Sequence, residues 1–91
     1  MEKEVRWFGP ETRVLLLLLD KDRMKRKDFQ KEGMDYRVAV SALNKLRDHF
    51  MVDFEEMGDY HETQIWFLTK KGIKVARTLS DLIETIERDR H

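Results

Sequence analysis

The sequence predicts one α+β domain, mostly α-helical, with a three-helix core, a β-hairpin wing and a long C-terminal helix. Three observations carry that expectation. An apolar run from Val14 to Leu19 follows a Gly-Pro helix start. A glycine turn at Gly33 separates a short basic helix from one of regular helical periodicity. Two β-rich stretches around Gly58 then precede a long amphipathic segment.

The 91 residues hold 18 Lys plus Arg against 18 Asp plus Glu, no Cys and one Pro, which is enough chain for one domain and little more. An apolar content of 41% closes a core, while 40% charged residues and a mean hydropathy of -0.67 describe a solvated exterior. Val14 to Leu19 is far shorter than the ~20 residues of a membrane crossing, and Met1-Glu2-Lys3-Glu4 is too acidic for a secretory leader. A soluble, cytoplasmic protein without a membrane partner is therefore expected. The absence of Cys excludes disulfides, thiolate zinc sites and thiol nucleophiles, so packing or a partner subunit must stabilise this small core.

After an N-terminal arm over residues 1–9, Gly9-Pro10-Glu11 opens the first helix, expected over 10–21. Pro in a first turn gives up only an N–H that had no intrahelical partner, and Glu there suits the helix dipole. Val14 to Leu19 is apolar on every side, which marks a helix surrounded by other elements. Lys21-Asp22-Arg23 breaks it, and Met24 is a candidate for a short strand.

A helix-turn-helix unit is expected over 26–48. Phe29 anchors the short helix from Arg26 to Glu32, Gly33 takes the left-handed turn, Met34 turns inward and Asp35 caps the next helix. In that next helix Ala39, Ala42, Leu43, Leu46 and then Phe50 share one face, leaving Tyr36, Arg37, Val40, Ser41, Asn44 and Lys45 on the other.

Met51 to Glu55 and Gln64 to Leu68 flank Glu56-Met57-Gly58-Asp59 as a hairpin, the wing, over 50–68. Ile65-Trp66-Phe67-Leu68 predicts a strand covered on both faces, by the core on one side and by either Val5 to Phe8 or a second subunit on the other. Thr69 caps a last helix over 70–89. Val75, Leu79, Leu82 and Ile86 form one stripe along it, and Ile73, Ala76 and Ile83 form a second. Two apolar surfaces on one helix, together with Trp7 and Phe8, point to a two-fold interface, so this is taken as the dimerisation helix of a homodimer.

The stretch Gly33-Met34-Asp35-Tyr36-Arg37-Val38-Ala39-Val40-Ser41-Ala42-Leu43-Asn44-Lys45-Leu46 resembles the turn and recognition helix of winged helix-turn-helix transcription regulators of the MarR and PadR type. Leu68-Thr69-Lys70-Lys71-Gly72 is similar to their strand-to-helix junction after the wing, and the resemblance covers roughly Glu11 to Arg88. It implies that the second helix of the motif enters the major groove, that the wing meets the neighbouring backbone or minor groove, and that the terminal helix makes a dimer. Two departures stand out: Phe50 occupies the place of the usual Gly after the recognition helix, and the wing is acidic.

Charge distribution sharpens the expectation. From Arg23 to Lys31, Arg23, Lys25, Arg26, Lys27 and Lys31 stand against Asp28 alone, so a neutral chain carries a local basic stretch. Lys and Arg on phosphates release counterions and bind without regard to sequence, whereas Arg37 and Asn44 offer the bidentate geometry that reads guanine and adenine. Candidate DNA-binding residues are thus Lys25, Arg26, Lys27, Lys31, Tyr36, Arg37, Val40, Ser41, Asn44 and Lys45. Candidate interface residues are Trp7, Phe8, Val75, Leu79, Leu82 and Ile86.

Two readings compete. In the first, the chain is a homodimeric DNA-binding transcription regulator with double-stranded DNA as partner. In the second, the basic stretch is only a solvated face, and the hairpin acids Asp53, Glu55, Glu56, Asp59 and Glu62 serve a winged-helix adaptor that binds protein and not DNA. No Gly-rich phosphate loop, no nucleophile with a partner His and no paired carboxylates in an apolar setting occur, so an enzyme is not expected. His49, Asp53 and His61 fit no ligand spacing, no cofactor is called for, and no effector is assigned.

Overall fold

A computed structural model describes residues 8–58 and 63–88. In chain order the elements are α1 (Pro10–Lys21), β1 (Arg23–Lys25), α2 (Arg26–Lys31), α3 (Tyr36–Asp48), β2 (Val52–Met57), β3 (Thr63–Leu68) and α4 (Lys70–Arg88). Helices dominate, and the three strands form an antiparallel sheet of order β1-β3-β2. Met24 is the central residue of β1, and its side chain is buried.

The all-round apolar character of α1 follows from its neighbours: α3, α4 and β3 all pack against it. Val14, Leu15 and Leu18 are buried, and Leu17 and Leu19 pack half-buried on the same cluster. Each of the three fully buried side chains contributes roughly 1.5–3 kcal/mol by leaving water.

The helix-turn-helix is set by local chemistry. Past the end of α2, Gly33 sits at φ 93°, Met34 N donates to Phe29 O and Gly33 N to Gln30 O, each at 3.0 Å. This is a Schellman stop, in which a left-handed residue lets the chain satisfy the last carbonyls, and its apolar pair, Phe29 and Met34, enters the core. Asp35 Oδ1 then accepts from the N–H groups of Arg37 and Val38, capping α3.

The same stop recurs after α3 without glycine. Met51 N donates to Leu46 O and Phe50 N to Arg47 O, both at 2.9 Å, and Phe50 takes φ 63°. The resemblance noted above places a Gly here; this chain holds a phenylalanine in the left-handed region instead, with the ring 74% exposed. The expectation that Phe50 joins the buried face of α3 is therefore corrected. The helix ends at Asp48, and the reversal at Phe50 carries the ring away from that face.

Strand register decides what the sheet offers. Met24, Trp66 and Phe54 align across β1, β3 and β2 on the core face, with the Phe54 and Trp66 ring centroids 4.8 Å apart. Trp66 Nε1 is buried without a hydrogen-bond partner among the described residues. The opposite face carries two rows, Arg23–Phe67–Asp53 and Lys25–Ile65–Glu55.

On this outer face Ile65 and Phe67 are half-buried. Arg23 of β1 reaches across β3 to Glu55 of β2 at 2.8 Å, with its guanidinium 5.3 Å from the Phe67 ring centroid. Among the described residues an ion pair thus supplies part of the cover that the sequence assigned to Val5–Phe8 or to a second subunit. Val5, Arg6 and Trp7 lie outside the described residues.

The start of α4 is fastened to the turn after α3. Thr69 Oγ1 donates to Phe50 O and accepts from Gly72 N, capping the helix, while Lys71 Nζ donates to His49 O at 2.8 Å. Ala76 and Ile83 are buried, and Val75 and Leu79 pack partly buried on the core. Leu82 is exposed and Ile86 half-buried. Among the described residues no helix is long and apolar enough to cross a membrane.

Candidate nucleic-acid interface

The Asp35 cap and the burial of Ala39, Ala42, Leu43 and Leu46 fix how α3 is rotated, because these side chains leave water on one face only. The residues turned outward are Tyr36, Arg37, Ser41, Asn44 and Lys45, all exposed, with Val40 half-buried between them. Arg26, Tyr36, Arg37, Val40, Ser41 and Asn44 line one concavity of about 400 Å³ between α2 and α3. A second, of about 320 Å³, is lined by Lys25, Arg26, Lys27, Tyr36, Thr63 and Gln64. Arg26 and Tyr36 belong to both, so the two form one continuous surface.

Eight of the ten candidate DNA-binding residues meet on this surface, and two do not. Lys45 Nζ lies 3.5 Å from Glu11 of α1 and lines neither concavity. Lys31 lies 4.0 Å from Asp28 on its own helix and lines neither concavity. Thr63 and Gln64 on β3 complete the surface. They were not foreseen, because only strand register brings them beside Lys25.

Electrostatics differ from the linear count. Arg23 is engaged by Glu55, whose hydrogen bond and charge raise the Arg23 pKa above its ordinary value. Arg47 of α3 donates from Nε to Asp53 at 3.1 Å, its guanidinium 4.7 Å from the Phe54 ring centroid. Two of the wing acids are therefore matched by arginines, one on β1 and one on α3. Glu56 is exposed, and Asp59, His61 and Glu62 lie outside the described residues. Among the described residues no group of three His, Asp or Glu side chains is placed to hold a metal.

The candidate interface residues are placed less uniformly. Val75 and Leu79 pack partly buried on the core, Leu82 is 44% exposed, Ile86 is half-buried and Phe8 is exposed. Trp7 lies outside the described residues.

This arrangement of helices, short strand and hairpin is a winged helix-turn-helix fold, and solved structures share it. A mutant of Lactococcus lactis ZitR superposes with a TM-score of 0.77 at 19% identity over 97% of this chain and 60% of its own. AF1382 from Archaeoglobus fulgidus gives 0.78 at 20% identity over 92% of this chain and 94% of its own. A MarR family transcriptional regulator from Silicibacter pomeroyi gives 0.74 at 20% identity over 87% and 54% respectively. The chain spans about six-tenths of the ZitR chains it matches. No protein-family model and no curated protein sequence matches it.

Proposed function

We propose that the protein is a homodimeric, DNA-binding regulator of transcription that presents α3 to the major groove. Lys25, Arg26 and Lys27, at the start of α2, would hold the flanking phosphates. The observation that carries this reading is the continuous surface on which those cations meet the exposed face of α3. Cations at the rim supply affinity for any duplex, while Arg37 and Asn44 at the centre have the donor geometry that distinguishes bases. The fold of the Silicibacter pomeroyi transcriptional regulator supports it further.

In this reading Leu82 and Ile86 of α4, with Phe8 and Trp7, pair two copies and set their α3 helices about 34 Å apart, one duplex turn. In the same reading the protein acts in the cytoplasm. The arginine partners of Asp53 and Glu55 engage two of the wing carboxylates, so the acidity of the wing is a weaker argument for a protein-binding adaptor than the linear count suggests.

The test is fluorescence anisotropy with a mixed-sequence duplex at two salt concentrations, on wild type and on the Lys25→Ala, Arg26→Ala, Lys27→Ala triple variant. Affinity that falls steeply with salt in wild type, with a log–log slope about two to three units shallower in the variant, is the expected result. A wild type that does not bind at low salt overturns the reading and leaves the adaptor.

A further inference from the structure

We infer that Arg23 is a positioning residue for the DNA contact: it draws Glu55 along the sheet and leaves the Lys25 ammonium for a phosphate. The inference rests on the DNA-binding reading and adds to it a residue that touches no DNA.

Lys25 pairs with Ile65, and Ile65 with Glu55, so Lys25 and Glu55 stand in the same row of the outer sheet face, two strands apart. Adjacent strands lie about 4.8 Å apart, so the two α-carbons are separated by roughly 10 Å, a gap that a lysine and a glutamate side chain close together. Arg23 is in the next row, diagonally across, and is the more distant partner by register. The Glu55 carboxylate nevertheless bonds Arg23 at 2.8 Å, and Lys25 has no ion pair among the described residues.

Guanidinium chemistry accounts for that choice. Arg23 lies over the Phe67 ring, where a flat, weakly hydrated guanidinium stacks better than a strongly hydrated ammonium, and from there its Nη1 donates to a Glu55 carboxylate oxygen. Lys25 borders the concavity shared with Arg26, Lys27 and Tyr36. Were Glu55 released, the nearest free cation by register is Lys25, and a lysine neutralised by a carboxylate releases no counterion from DNA. The exposed ion pair adds little stability; its effect falls on which cation stays free.

The experiment repeats the anisotropy titration at two salt concentrations on Arg23→Ala, Glu55→Gln and the double variant. Arg23→Ala is expected to bind several-fold more weakly at the lower salt, with a slope about one unit shallower. Glu55→Gln keeps wild-type affinity or exceeds it, and adding Glu55→Gln to Arg23→Ala restores the slope. A double variant as weak as Arg23→Ala overturns the inference, since Arg23 would then touch phosphate itself. Arg23→Ala equal to wild type also overturns it while leaving the DNA-binding reading standing. Absence of wild-type binding overturns both.

Discussion

Gly72 lies flat against the Met51 carbonyl: a Cβ at residue 72 would stand 1.9 Å from Met51 O, 2.9 Å from Met51 C and 3.2 Å from Leu68 Cδ2. This contact explains chemically why a glycine follows Thr69-Lys70-Lys71. The first turn of α4 passes so close to the chain leaving α3 that only a hydrogen fits. Thr69 bonds both sides of the same junction, donating to Phe50 O and accepting from Gly72 N. The wing's two ends are thereby held together, and α4 is tied to the helix proposed to meet DNA.

Gly72→Ala is therefore expected to destabilise the fold by about 2 kcal/mol or more, because the obstructing atoms are backbone and cannot swing aside. Urea unfolding followed by far-UV circular dichroism reads this as a lower midpoint at unchanged slope. A midpoint equal to wild type would mean that the close approach does not exist in solution.

Phe50→Gly should act in the opposite direction. The residue sits at φ 63° with its ring exposed, so glycine relieves a left-handed conformation while giving up little buried surface. A gain of about 0.5–1 kcal/mol is expected, with Phe50→Val losing stability because a β-branched side chain is worse there. The same urea experiment checks both, and a destabilised Phe50→Gly would show that the ring packs on something.

Asp35→Ala removes the acceptor for two α3 amides and is expected to cost about 1 kcal/mol. Asp35→Ser or Asp35→Asn should recover most of that loss. Amide hydrogen exchange on Arg37 and Val38 gives the local readout, with faster exchange in the Ala variant only.

Leu82→Glu separates assembly from folding better than Leu79→Glu, because Leu79 packs partly on the core whereas Leu82 is exposed. Light scattering at micromolar concentration should report a dimer for wild type and a folded monomer for Leu82→Glu. A wild type that is already monomeric would remove α4 pairing from the proposal.

Asn44→Ala should distinguish base reading from phosphate binding. Once a preferred duplex has been selected, this variant should lose about 1–3 kcal/mol on it and nothing on mixed sequence, since an amide side chain carries no charge. An equal loss on both duplexes would place Asn44 outside the groove.

Much of the fold was legible because its signals are local. Pro10 and Glu11 start a helix, Gly33 and Asp35 end one and begin the next, and the apolar period of α3 selects its outward face, all within a turn or two of chain. Phe50 shows where such reasoning fails. Helical spacing carried it onto the buried face, but spacing says nothing once the chain has taken a left-handed step.

Charge pairing was not legible at all. Counting along the chain put Arg23 in the basic stretch, gave Lys45 to DNA and made the wing uniformly acidic; in space Arg23 meets Glu55, Lys45 meets Glu11 and Arg47 meets Asp53. These partners are 32, 34 and 6 residues apart, and the two long pairings depend on strand register and helix packing rather than on neighbouring residue types. The sequence by itself determined the helices, their caps and the residues available to a groove, because propensity and period act over short stretches. Tertiary structure alone decided which cations stay free, since a side chain's charge partner is set by what folding brings within a few ångströms of it.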